Sequence, residues 1–149
     1  MTQMPQAEIF RPLTMREGRV LVIDDEAAIR MPIRRCLLQA GLEVVEAADG
    51  EEALAALRGG DNALMVDAIL CDIRMPKIDG TDLIPHFRAQ HPSIPIIVLT
   101  GYPDIELAIQ LMKAGVRDYL IKPVTKQELL RSLKNAVEHH TIFKDQFIV

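Results

Sequence analysis

Short runs of apolar, β-branched residues alternate with longer amphipathic stretches through most of this chain, and that rhythm leaves few folds open. The runs Arg19–Asp24 (RVLVID), Ala68–Asp72 (AILCD) and Pro95–Thr100 (PIIVLT) are nearly all apolar, as strands are when both faces of their sheet are covered. Two further strands are read at Glu43–Ala47 and Arg117–Lys122. Helical spacing of apolar residues places helices near Glu26–Ala40, Gly50–Arg58, Thr81–Gln90, Asp104–Ala114 and Lys126–His139. Gly41 and Gly115 follow two of these as stops, Pro103 is placed to open the fourth, and Thr125 with Glu128 spells a capping box for the fifth.

Strands that alternate with helices are joined by crossovers, and right-handed crossovers reduce the topologies to a handful. The expected fold is α/β, a flavodoxin-like doubly wound parallel sheet of five strands in the order 2-1-3-4-5, with five helices. Two features fit less well. Pro32 falls inside the first helix, where it removes the bond to the Ala28 carbonyl at a cost of about 3 kcal/mol, so a kink or a late restart is expected there. Gly59–Asp67 is an irregular connection in which Leu64, Met65 and Val66 can form a short turn of helix.

At 149 residues, with 49% hydrophobic and 26% charged residues, the chain suits one domain with a proper core and neither a disordered nor a membrane protein. That domain is read over residues 18–140, with an N-terminal extension at 1–17 and a tail or the start of a linker at 141–149. The extension is broken by Pro5 and Pro12 and lacks the apolar core of a signal peptide, so a cytoplasmic location without membrane association is expected. Cys36 and Cys71 lie in apolar periodic segments without His or Cys at metal-ligand spacing and read as buried free thiols. A net charge of −4 gives no basic footprint, so any DNA contact belongs to another chain or domain.

In an open parallel sheet, ligands bind outside the carboxyl ends of the strands. Those ends are polar here: Asp24 and Asp25 after the first strand, Asp72 after the third, Thr100 after the fourth and Lys122 after the fifth. Singly, each has a plain structural role. Asp24 or Asp25 can cap the first helix, Asp72 a turn before Pro76 and Thr100 the fourth helix, while Lys122 can be one more solvated lysine. Together they demand more, because three carboxylates brought close repel one another unless a cation sits among them. Hard oxygen ligands with open positions suit Mg²⁺ beside phosphate. Asp72 is then the nucleophile that takes a phosphoryl group, Lys122 and Mg²⁺ neutralise its oxygens, and the Thr100 hydroxyl donates to one of them. A hydroxyl drawn toward phosphate would move the loop after the fourth strand and change the surface of the fourth helix.

These residues resemble the receiver domain of two-component response regulators over roughly Arg19–His139. The carrying motifs are the acidic pair in VLVIDDE, the segment DIRMPKIDG, the Thr-Gly after the fourth strand and the Lys-Pro after the fifth, in the family's order and spacing. The resemblance implies that a histidine kinase or phosphotransfer protein phosphorylates Asp72. It implies that Asp25, Asp72 and the backbone carbonyl of Arg74 bind Mg²⁺ directly, with Asp24 helping through water. Thr100 and Tyr119 match the switch pair, with an edge aromatic packed on the fifth helix as the lesser alternative for Tyr119. Lys122 matches the phosphate-contacting lysine, Lys122–Pro123 the family's cis bond, and Gly80 the permissive turn glycine. Arg74 and Tyr102 match positions that tune the lifetime of the acyl phosphate.

Two other classes compete with this reading. A haloacid dehalogenase-type phosphatase also uses an Asp nucleophile with Mg²⁺, but its DxD motif follows the first strand, and here Asp24 and Asp25 are adjacent while Asp72 is followed two residues on by Arg74. A receiver-like adaptor that is never phosphorylated is the second, although this sequence has lost none of the acidic or lysine positions. The output is expected through a downstream protein or an output domain outside this sequence. Homodimerisation through the fourth helix, fifth strand and fifth helix is the other expectation. The fourth helix has a wide apolar arc that includes Ile105, Ile109 and Met112, and the tail holding Phe143 and Phe147 can either extend the fifth helix or pack on its own domain.

Overall fold

The computed structural model describes residues 18–73 and 80–147. Its strands are β1 (Gly18–Ile23), β2 (Leu42–Ala47), β3 (Val66–Asp72), β4 (Ile96–Thr100) and β5 (Asp118–Ile121). The helices are α1 (Ala27–Gln39), α2 (Gly50–Arg58), the short α3 (Asn62–Met65), α4 (Gly80–Gln90), α5 (Ile105–Lys113) and α6 (Lys126–Phe147). All strand pairs are parallel, in the expected order β2-β1-β3-β4-β5.

Strand pleating sorts the core into two layers. Leu21 and Ile23 of β1 face one layer with Ala53 and Leu57 of α2, Leu83, Ile84 and Phe87 of α4, and Leu111 of α5. Val20 and Val22, one residue out of phase, face the other with Ile33 and Leu37 of α1 and Leu129, Leu133 and Val137 of α6. Every residue of β3 is buried, as a central strand covered on both faces must be. Each buried Leu or Ile contributes roughly 1.5–3 kcal/mol, so this two-sided burial is the main force holding the sheet.

Helix ends follow local chemistry. Asp49 caps α2 by accepting from the Glu52 N–H at 2.9 Å, and Thr125 and Glu128 form the reciprocal capping box of α6 at 3.2 and 3.0 Å. Gly41 and Gly115 stop α1 and α5 with φ of 90° and 103°, where a Cβ would be strained.

Several expectations need correction. Pro32 does not restart α1, which runs unbroken across it; Pro32 and Ala28 are both exposed, so water can take the carbonyl the proline leaves without a helical donor. Pro85, not singled out in the sequence, is likewise inside α4 and exposed. Pro103 does not open α5, because Asp104 is the cap, accepting from the Leu107 N–H at 3.1 Å. The connection before β3 contains a sixth helix, α3, but Val66 belongs to β3, which starts earlier than expected. Cys71 is buried, whereas Cys36 is only half-buried. Helix α6 continues through the tail to Phe147 instead of ending near His139.

The early start of β3 and the long α6 have one shared cause. Arg19 pairs with Val66 and Val20 with Ala68, so Asp67 is an extra residue on β3, as in a β-bulge. Its buried carboxylate meets α6: Oδ1 lies 2.8 Å from His140 Nδ1 and 2.7 Å from Lys144 Nζ, while Oδ2 accepts the Arg19 N–H at 3.3 Å. Burial by itself raises the Asp67 pKa, but the bonds from His140 and Lys144, the Lys144 charge and the Arg19 amide outweigh it and hold the group below the usual aspartate range.

Since the folded pKa is depressed, this interaction stabilises fully above the unfolded value of about 3.9 and is lost as pH falls through the folded one. Replacing Asp67 with Ala should cost about 3–5 kcal/mol near neutral pH, because it strands the buried His140 and takes the carboxylate from Lys144. Urea denaturation across an acid pH series should show that cost shrinking below pH ~4.

Candidate functional site

The parallel register brings the carboxyl ends of four strands to one edge. Ile23 pairs with Cys71, Asp72 with Leu99 and Thr100 with Ile121, so Asp24, Asp72, Thr100 and Lys122 emerge on neighbouring strand ends. At their centre is the Lys122 ammonium, which donates to Asp24 Oδ2 at 3.2 Å and to Asp72 Oδ2 at 3.4 Å. Both carboxylates are buried, Asp24 to 2% exposure and Asp72 to 8%. Burial alone would push the Lys122 pKa down. The charges of Asp72 and Asp24, with hydrogen bonds to both, reverse that and hold it above the ordinary lysine range.

Asp24 is fixed at several atoms. Its N–H donates to the Ala47 carbonyl at 3.1 Å, its Oδ1 accepts the Glu26 N–H at 2.9 Å, and its own carbonyl accepts from Arg30 Nη1 at 2.5 Å. Asp25 and Glu26 follow on the exposed rim, and Asp24, Asp25 and Glu26 each bring a carboxylate oxygen to within 4.8 Å of the others. Asp72 lies beside this group through the shared ammonium. A set of hard carboxylate oxygens, one end buried and the other open to solvent, fits a divalent cation that keeps several waters.

Thr100 is buried, and its Oγ1 accepts the Tyr102 N–H at 3.0 Å, which leaves the hydroxyl hydrogen available to an acceptor at the strand ends. Tyr119 is half-buried against the core layer under α5, and its hydroxyl accepts the Asp104 N–H at 3.3 Å. It is thus tied to the start of α5 rather than packed on α6. The Lys122–Pro123 bond is cis. Gly80 is the first residue of α4, and Arg74 lies outside the described residues.

Glu26 and Arg30 were not identified from the sequence. Glu26 was readable as a third carboxylate directly after the acidic pair. Arg30 carried no such signal, because its partners are a backbone carbonyl and, at 3.2 Å, Glu46 on β2.

The family model described as the response regulator receiver domain matches residues 20–134. Among curated proteins, the DNA-binding transcriptional regulator NtrC of Salmonella typhimurium is 36% identical over 126 residues, 85% of this chain and 26% of that protein. The transcriptional regulatory protein FixJ of Bradyrhizobium diazoefficiens is 36% identical over 121 residues, 81% of this chain and 57% of that protein. The chain therefore spans only part of the curated relatives it matches. A solved response regulator receiver domain protein from Clostridium thermocellum superimposes with a TM-score of 0.78 at 35% identity, covering 85% of this chain and 98% of that one.

The raised Lys122 pKa means the ammonium's contribution is full below the unfolded value of about 10.4 and disappears as pH rises through the folded one. Exchanging Lys122 for Met should destabilise the fold by about 1–3 kcal/mol at neutral pH by leaving two buried carboxylates without their shared donor. Urea denaturation of that variant beside the parent protein at neutral pH checks the loss.

Proposed function

The chain belongs to the response regulator receiver domain family, and from that premise we propose that it is a phosphorylation-dependent signalling switch with Asp72 as its acceptor. The observation that carries this reading is the Lys122 ammonium shared between the buried carboxylates of Asp24 and Asp72. A carboxylate held next to a fixed cation is prepared for the charge that arrives with a phosphoryl group. Asp72 attacks the phosphorus of a phosphohistidine on a sensor histidine kinase or phosphotransfer protein; the phosphorus–nitrogen bond breaks, the imidazole leaves, and an acyl phosphate remains.

Asp24, Asp25 and Asp72, with the backbone carbonyl of Arg74, are the residues that would hold Mg²⁺, and the grouping of Asp24, Asp25 and Glu26 supports that assignment. When bound, the ion supplies positive charge against the phosphoryl oxygens. Lys122 supplies the remaining positive charge, turning its ammonium from the two carboxylates toward the new anion.

Thr100 is the trigger. Its Oγ1 accepts the Tyr102 N–H at 3.0 Å, so a Thr100 hydroxyl drawn to a phosphoryl oxygen pulls the Tyr102 backbone with it. Tyr102 leads into Asp104, whose side chain caps α5 and whose N–H is held by Tyr119. Displacement of this loop therefore reorients the start of α5 and frees Tyr119 from its bond. The face affected carries Ile105, Ile109, Met112 and Ile121, all at least half exposed or close to it, at 80%, 51%, 47% and 50%. We assign this α5–β5–α6 face to homodimerisation or to contact with a downstream protein or output domain.

No helix among the described residues is long and apolar enough to cross a membrane. We assign the switch to the cytoplasm. Nucleic-acid contact is left to the output partner. The chemistry is confined to Asp72 itself, without turnover of a free substrate.

Incubation with a small acyl phosphate and Mg²⁺ should add the mass of one phosphoryl group, lost in Asp72→Asn and on chelation. An unchanged parent mass refutes the assignment. Thr100→Ala should accept the phosphoryl group yet lose the amide NMR shifts expected along α5.

A further inference from the structure

Arg30 is bound in a way that the phosphoryl chemistry does not require. From the first turns of α1 it donates Nη1 to the carbonyl of Asp24 and Nε to Glu46 Oε1 at 3.2 Å. The second carboxylate oxygen of Glu46 is taken by Arg34 Nε at 3.3 Å. Glu46 on β2 thereby holds two successive arginines of α1, and one of these reaches back to the loop that carries the acidic residues. The Arg30 side chain is only 16% exposed, so this geometry is packed in place rather than one of many solvated rotamers.

The carbonyl that Arg30 holds belongs to the peptide joining Asp24 to Asp25. A peptide unit is planar, so fixing its oxygen fixes the direction in which the next residue leaves. The other side of Asp24 is already fixed, by the bond from its N–H to the Ala47 carbonyl. Its carboxylate is held by the Glu26 N–H and Lys122. Asp25, exposed at the rim, takes its direction from the one peptide that Arg30 governs.

We infer that Arg30, held by Glu46, is a positioning residue that sets Asp25 for cation binding without touching the ion. The inference rests on the assignment of Asp25 to Mg²⁺ made above. A competing effect has the opposite sign: a guanidinium near an acidic site repels an incoming cation, and its removal on that account alone would tighten binding. Positioning dominates here, because the guanidinium is neutralised by Glu46 and directed at a carbonyl rather than at a carboxylate.

The test is titration of the full chain with Mg²⁺ alone, followed through backbone amide NMR shifts, beside a thermal unfolding measurement without the ion. Arg30→Gln should weaken Mg²⁺ binding about tenfold, the scale on which lost outer-shell partners act. Arg30→Lys should also weaken it, since a single nitrogen cannot occupy both the Nη1 position at the Asp24 carbonyl and the Nε position at Glu46, and Glu46→Gln should do so to a smaller extent. Tighter binding in Arg30→Gln, parent-like binding in Arg30→Lys, or an altered unfolding temperature with unaltered Mg²⁺ affinity each overturns the inference. A parent protein without any Mg²⁺-dependent shift overturns the metal assignment as well, whereas a parent that binds and variants that match it overturn this inference alone.

Discussion

Two buried aspartates at the ends of adjacent parallel strands share a single lysine ammonium, and much of the architecture can be understood as what makes that arrangement tolerable. Carboxylates this far out of water repel one another and lose hydration. Lys122 offsets both penalties for Asp24 and Asp72 at once, at 3.2 and 3.4 Å. The lysine, at the end of β5, reaches past β4 to both because parallel register delivers every strand terminus to the same edge. The apolar layers on both faces of the sheet hold that register. A slip of one residue would reverse the faces of every side chain on the strand and withdraw the acid or the lysine from its partner.

The parts of this arrangement that could be read in the sequence were those encoded locally. Runs such as AILCD and PIIVLT carry their own evidence of a doubly covered strand, and a polar residue at the end of each run follows directly from the same reading. Thr125 and Glu128 announce their helix start because the two bonds they exchange are within one turn. What escaped was encoded in pairs distant along the chain. Asp67 looked like loop, since an acidic residue before an apolar run is a usual boundary, and only its His140 and Lys144 partners explain why it is buried inside the strand. Pro32 misled for a related reason: a proline's cost depends on whether the carbonyl it abandons is buried, and here that carbonyl is on a solvated turn. The order of motifs also carried more than any motif alone, which is why family membership was legible while the fastening of Arg30 to Asp24 was not.

Polar groups are thus concentrated at both ends of β3, with different consequences. At the carboxyl end, Asp72 shares with Asp24 one counter-charge on the long Lys122 side chain, beside a rim of exposed carboxylates. At the amino end, Asp67 is enclosed by His140, Lys144 and the Arg19 amide, and His140 Nε2 in turn lies 3.4 Å from Ser93 Oγ. Enclosure of that kind favours one geometry, because each group that left would strand the others.

The length of α6 acquires a mechanical meaning from this contrast. The helix is capped at its start by Thr125 and Glu128 and pinned past its middle by Asp67, so it is held near both ends like a shaft in two bearings. Helix α5 has no comparable second fixing among the bonds described; it is held at its start through Asp104 and Tyr119 and ends at a glycine turn. Between a shaft that resists displacement and a sheet that cannot shear without losing register, α5 is the compliant member. A disturbance at the strand ends should therefore be expressed as a swing of that one helix against a stationary frame, and a partner that grips both α5 and α6 would read the angle between them.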